Sequence, residues 1–164
     1  MTMSNQPIIR AIKASDNLRV AQIIRKVMTE FSCVGSGFSI EDPEVDAMHQ
    51  AYAGDRAAFY VIEHNGIVQG CGGFAQLEGG AADICELKKM YFLTELRGLG
   101  MGSRLVDLCI QEARSKGYRI MYLETVERMQ AANHLYQKKG FRLLPGPLGA
   151  TGHGGCDAFY DLPL

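Results

Sequence analysis

Arg97 to Gly102, RGLGMG, is the stretch on which the reading of this chain turns. It stands between a strand-like run, Ile84 to Leu93, and an amphipathic helix that begins near Met101. Gly98, Gly100 and Gly102 remove every second side chain just where that helix starts, so backbone N–H groups lie bare to a ligand. The first N–H groups of a helix have no intrahelical partner, and the helix dipole adds partial positive charge at the same end. Such an end binds phosphate. Without context, the same glycines describe equally well a turn that only redirects the chain.

Spacing removes two nucleotide-binding alternatives. A Walker A loop needs Lys and then Ser or Thr after its last glycine, whereas Gly102 is followed by Ser103 and Arg104. A dinucleotide fold finds some support in strand, glycines, helix and a second strand that ends in Glu124, an acid about twenty residues beyond the loop. Its fingerprint, however, requires glycine where Ser103 stands, and it follows its strand directly, without Thr94, Glu95, Leu96 and Arg97 between.

Arg97, two residues, Gly100, one residue and Gly102 resemble the signature of the GNAT acyltransferase superfamily: Gln or Arg, two residues, Gly, one residue, then Gly or Ala. The resemblance continues through ELKKMYF (Glu86 to Phe92), the following helix, MYLET (Met121 to Thr125) and LYQKKGF (Leu135 to Phe141), roughly the C-terminal half. It implies a single α/β (α+β) domain over residues 1–164, with a central mixed, mostly antiparallel sheet flanked by helices. It also implies transfer of an acetyl group from acetyl-coenzyme A to a primary amine, on a small molecule or a protein, with no covalent enzyme intermediate. A homodimer is compatible with it.

Composition agrees with one domain. A chain of 164 residues buries about two thirds or more of its unfolded surface around one core. Lys plus Arg number 17 and Asp plus Glu 18, so the net charge of −1 provides no bulk field toward nucleic acid or an anionic membrane. MTMSNQP lacks the apolar core of a signal peptide, residues 1–6 read as a disordered N-terminus, and no run reaches the about eighteen apolar residues of a membrane span. The expectation is a soluble cytoplasmic protein. Cys33, Cys71, Cys85, Cys109 and Cys156 form no CxxC pair and are odd in number, which argues against a disulfide framework. His49, His64, His134 and His153 show no metal-ligand spacing, so no metal is expected.

Along the chain, Ile8 to Lys13 reads as a strand, and Ser15 caps a helix to about Phe31 whose buried stripe is Val20, Ile23, Ile24, Val27 and Phe31. Asp42-Pro43 starts a second helix to about Tyr52, and the acids Glu41, Asp42, Glu44 and Asp46 at its start read as capping and dipole charges in preference to a lure for a cationic amine. Asn65-Gly66 joins two strands in a hairpin. Lys88-Lys89 interrupts the alternation of the next strand, as at a bulge. PGPLGATGHGG, Pro145 to Gly155, reads as a mobile connector or as a lid that presents His153.

The resemblance assigns roles. It implies a gap beside the fourth strand where pantetheine runs along the backbone of Met90, Tyr91 and Phe92, with the pyrophosphate on Arg97, Gly98, Leu99, Gly100, Met101 and Gly102. Glu86 is the best-placed base to take the amine's proton, or else it pairs with Lys88; Glu78 and Asp83 are substitutes. Tyr136 is the general acid for the thiolate, or else a core aromatic. The asparagine often found seven residues before this tyrosine is Met129 here, and Asn133, one turn later, is carried as a coenzyme A contact. A non-catalytic acyl-coenzyme A sensor and a nicotinamide oxidoreductase are the rival functions.

Overall fold

The computed structural model describes residues 5–164, so the first four residues of the expected disordered N-terminus lie outside the described residues. Asn5 and Gln6 are irregular. Seven strands form one sheet: β1 (Ile8–Ala11), β2 (Ala58–His64), β3 (Ile67–Gln76), β4 (Ile84–Phe92), β5 (Ile120–Thr125), β6 (Arg142–Leu143) and β7 (Ala158–Pro163). Their spatial order is β1-β2-β3-β4-β5-β7-β6, antiparallel throughout except for the parallel pair β4 and β5. Asn65 and Gly66, with φ of 54° and 76°, make the tight turn between β2 and β3.

Helices cover both faces. On one lie α1 (Asn17–Glu30) and the single turn α2 (Met48–Ala51); on the other lie α3 (Met101–Ser115) and α4 (Gln130–Lys138). Met101, Leu105, Val106, Cys109, Ile110 and Ala113 form the stripe by which α3 packs on Cys85, Leu87, Met121 and Leu123. Val20, Ile24, Val27 and Met48 close the opposite core over Val61, Val68 and Cys71. Burial of each large aliphatic side chain contributes about 1.5–3 kcal/mol, so these two stripes hold the helices to the sheet.

The bulge expected at Lys88-Lys89 is present and has a specific form. Lys89 has φ of 58°, the left-handed region, and the register of β4 against β3 slips between Cys71 and Gly73. The extra residue inverts the alternation: Glu86 and Lys88 face α1 and α2, Lys89 faces the same way, and Met90 and Phe92 turn into the α3 core. Gly72 lies under the turned Met90, whose sulfur occupies the space a Cβ would need there.

The second expected helix is corrected. Residues 43–46 form a 3₁₀ turn, Ala47 leaves helical geometry at φ −141°, and only Met48–Ala51 is α-helical. Asp42 makes no side-chain cap, because its carboxylate accepts hydrogen bonds from Lys89 at 2.7 Å and lies 2.9 Å from His153 Nε2. A capping signal has been taken over by tertiary contacts.

Asn133, carried as a coenzyme A contact, has partners within the protein. Its Nδ2 donates to Val126 O at 2.9 Å and Met129 O at 2.8 Å, and Tyr160 OH donates to its Oδ1 at 2.8 Å. The side chain clamps the β5 to α4 turn to β7. Asn133→Ala should lower unfolding stability by about 1–3 kcal/mol, since it removes three hydrogen bonds, although Val126 O, Met129 O and Tyr160 OH each keep another partner. Urea unfolding checks this; a midpoint equal to that of the unmodified chain would refute it.

Candidate active site

β4 and β5 pair only at Ile84↔Ile120, Cys85↔Met121 and Glu86↔Tyr122. Beyond Glu86 the two strands part, while β4 stays paired to β3 and β5 to β7. The result is a fork with Glu86 at its apex. The cleft in this fork is lined by Glu86, Lys88, Glu124 and His153 from the α1 face, and by Leu87, Met90, Ala132 and Tyr136 from the α3 face. Strand alternation puts Glu124 on the same side as Tyr122, and hence beside Glu86.

Glu86 is 4 % exposed, its neighbouring cation being Lys88 Nζ at 4.0 Å. Burial pushes its carboxyl up to about 7, against the pull of Lys88. Glu124 is in the opposite condition. Burial would raise it, but His153, Tyr122 and Thr151 around it hold it below the usual carboxylate range. Tyr122 OH and Thr151 Oγ1 donate to its two oxygens at 2.7 and 2.8 Å. Two neighbouring carboxyls are thereby driven apart, one toward a proton acceptor near neutrality, the other toward a permanent anion.

His153 joins this group from the Pro145 to Gly155 segment. Its Nε2 lies 2.9 Å from Asp42 Oδ1 and its Nδ1 3.6 Å from Glu124 Oε2. Burial alone would lower the imidazole, yet Asp42 and Glu124 raise it to about 9, and Asp42 is held to about 2 against its own burial by His153 and Lys89. Glu86, Glu124 and His153 each bring one ligand atom within 4.8 Å of the others, a three-sided polar group open to the cleft.

Across the cleft, Tyr136 is 6 % exposed, with Phe141 and Tyr160 rings at 5.8 and 6.3 Å. Burial pushes its phenol up, so it is protonated at neutral pH. At the far end of β4, Gly98 and Gly100 take φ of 81° and 76°, and Gly100 is the N-cap of α3. Leu99 is exposed between them, and Met101 is buried as the first residue of the helix. Gly102 has Leu135 and Phe92 beside the place of a Cβ, at 3.3 and 3.6 Å. The Arg97 guanidinium pairs with Glu30 at 2.7 and 2.8 Å, and its Nε donates to Phe92 O at 2.9 Å. Tyr91 faces α1, where its hydroxyl lies 3.1 Å from Ser39 Oγ.

Residues 21–141 match the model of the Acetyltransferase (GNAT) family. The chain belongs to the GNAT family. Among its relatives, the uncharacterized N-acetyltransferase YjgM of Escherichia coli (strain K12) is 38% identical over 152 residues, covering 92% of this chain and 91% of that protein. The IAA acetyltransferase of Azospirillum brasilense is 35% identical over 107 residues, covering 65% of this chain and 67% of its own length. A GNAT-family acetyltransferase from Staphylococcus aureus Mu50 superposes with a TM-score of 0.83 at 20% identity, covering 96% and 99% of the two chains. A Salmonella typhimurium protein solved with its cofactor acetyl-CoA superposes at 0.75, also at 20% identity, covering 96% and 94%. These structural likenesses speak for the fold. Membership makes this GNAT chain an acetyl-CoA-dependent N-acetyltransferase. Among the described residues no helix is long and apolar enough to cross a membrane.

The fork and the start of α3 fit such a cofactor. Unpaired strand backbone runs beside β4, and the glycine loop leads into a helix whose first N–H groups have no partner within it. Sequence reading named Glu86, Tyr136 and the glycine loop but passed over Tyr122, Thr151 and the site roles of Glu124 and Lys89, and it set a substrate role for Asp42 below capping. The alternation of MYLET carried a signal for Glu124; Thr151 had none.

The titration of His153 has a definite sign. Its pKa rises from 6.5 to about 9 on folding, so the imidazolium contributes stability that is full below about 6.5 and is lost as pH rises through about 9. His153→Gln should therefore melt below the unmodified protein at pH 6, and the gap should close by about pH 9.5. A gap independent of pH in calorimetric melting would show that the charge plays no part.

Proposed function

We propose that this GNAT chain transfers the acetyl group of acetyl-coenzyme A directly to a primary amine, with Glu86 as base and Tyr136 as acid. The observation that supports it is the fork itself, where a buried carboxyl tuned near neutrality and a buried phenol line one cleft from opposite faces of the sheet. A sensor would need neither group there. Acetyl-coenzyme A supplies the thioester whose carbonyl carbon is attacked. The backbone of Met90, Tyr91 and Phe92 guides its pantetheine arm, and Gly98 to Gly102 receive its pyrophosphate. Arg97, tied to Glu30, props this loop.

An alkylammonium with a pKa of about 10.4 has no lone pair at neutral pH, so it must first give up a proton. Glu86 takes that proton while ionised Glu124 holds the ammonium in place. The C–N bond forms, the C–S bond breaks, the Tyr136 hydroxyl protonates the departing sulfur, and the second proton shed by the new amide nitrogen restores the Tyr136 phenol while Glu86 releases its proton to solvent. Thiol release from acetyl-coenzyme A in the presence of amines tests the whole reading; binding of acetyl-coenzyme A with no amine-dependent release would overturn it.

As a base, Glu86 must be ionised, so kcat/KM should rise with pH through about 7. Glu86→Gln should be slowest relative to the unmodified enzyme at neutral pH and recover much of its rate as pH nears the amine's own pKa. Parallel pH profiles for the two proteins would place the base elsewhere. Tyr136→Phe should lower turnover by about tenfold or more with little change in acetyl-coenzyme A affinity, the lower end being set by a thiol pKa of about 8.5. Single-turnover rates beside calorimetric binding read both quantities.

A further inference from the structure

Because of the bulge, β4 delivers two consecutive lysines to one face, and they end in different situations. Lys89 has 1 % of its side chain exposed, and its ammonium donates to Asp42 at 2.7 Å and to Glu44 at 3.1 Å. It is a structural ion. Lys88 is 20 % exposed, lines the cleft, and is held more loosely, 3.4 Å from Glu44, 4.0 Å from Glu86 and 5.9 Å from the centre of the Tyr52 ring. An ammonium is thus presented to the acceptor side within 4.0 Å of the carboxylate that meets the acceptor's amine.

The same side is roofed. Between Pro145 and Gly155 the chain crosses the cleft tied at successive points: Leu148 N to Tyr122 OH at 3.0 Å, Ala150 N to Glu78 O at 2.7 Å, Thr151 to Glu124 at 2.8 Å, and Gly155 N to Gly37 O at 2.8 Å. Its two ends reach β5 and the loop after α1. A polypeptide acceptor needs an open groove for the residues that flank its amine; this arrangement encloses a small molecule instead. Met28, Phe38 and Met129 supply an apolar wall beside the charged corner.

We infer that the acceptor is a free amino acid with an apolar side chain, its ammonium received by Glu86 and Glu124 and its carboxylate by Lys88. This rests on the transferase reading above and goes beyond it by naming the acceptor class and a specificity-determining residue. With Glu86 ionised, four anions (Asp42, Glu44, Glu86 and Glu124) stand against three cations (Lys88, Lys89 and His153), so the acceptor's ammonium meets the one negative charge in excess while its carboxylate lies against Lys88. The separation of Lys88 and Glu86 suits an amine and a carboxylate joined through one or two carbons. A polyamine would bring more positive charge than this corner can match.

Thiol release is measured with leucine, methionine and phenylalanine, each beside its carboxamide, its decarboxylated amine and a tripeptide that begins with it. The best amino acid should exceed its carboxamide in kcat/KM by about tenfold or more, the scale of one charge-assisted hydrogen bond, although the amide holds more free amine at neutral pH. In Lys88→Met that ratio should fall to about one, and in Lys88→Arg it should persist. The ratio cancels any shared effect of the substitution on Glu86, and the arginine variant covers a failure of the methionine variant to fold. Turnover that favours amides, amines or peptides, or a ratio unaltered in Lys88→Met, overturns this inference and leaves the transferase standing. No release with any amine, while acetyl-coenzyme A still binds, overturns both.

Discussion

The left-handed backbone at Lys89 is the constraint on which the rest of the molecule depends. A non-glycine residue in that region costs about 1–3 kcal/mol and persists only where its surroundings over-determine it. Here they do. The side chain is buried between Asp42 and Glu44, and the following Met90 is seated on the bare backbone of Gly72. The extra residue turns β4 away from β5 after Glu86, and a continuous sheet becomes a fork. It also reverses the strand's alternation, so the residues before and after it serve different faces. Cleft, paired lysines and the recruitment of Asp42 all follow from one inserted residue.

Electrostatics around the fork then separates groups of similar chemistry. Glu86 and Glu124 stand side by side, yet burial raises the first while two hydroxyls and an imidazole lower the second. The difference arises from connection and not from residue type: Glu124 has donors on both oxygens, while the cation beside Glu86 stands 4.0 Å away. Lys88 and Lys89 repeat the pattern among cations. In each pair one member is fixed by short contacts and the other is left facing the cleft.

Local signals in the sequence were sufficient for the sheet, the hairpin at Asn65-Gly66, the bulge and the glycine start of α3, because each is determined by backbone preferences over a few residues. Glu86 could be placed by its position in a strand and Tyr136 by resemblance. What could not be read depends on partners far apart in the chain. Asp42 looked like a helix cap because local chemistry offered nothing else; its partners, Lys89 and His153, lie 47 and 111 residues away. The protein partners of Asn133 and Arg97, Tyr160 and Glu30, were equally out of reach, since they are set by tertiary packing. The glycine-rich segment from Pro145 was ambiguous because its order comes from what it lies across and not from its own residues.

The order of strands has a consequence for how the molecule comes into being. β7 is the last strand in sequence, yet it lies inside the sheet, between β5 and β6. Until it docks, one edge of β5 is unpaired, β6 has no neighbour, and the segment bearing Thr151 and His153 has only one anchored end. During synthesis the first six strands can therefore collapse without a working centre. Docking of β7 joins distant parts of the chain, a kind of contact that forms slowly because so much chain must be brought together, and it sets the second anchor of the segment that carries Thr151 and His153.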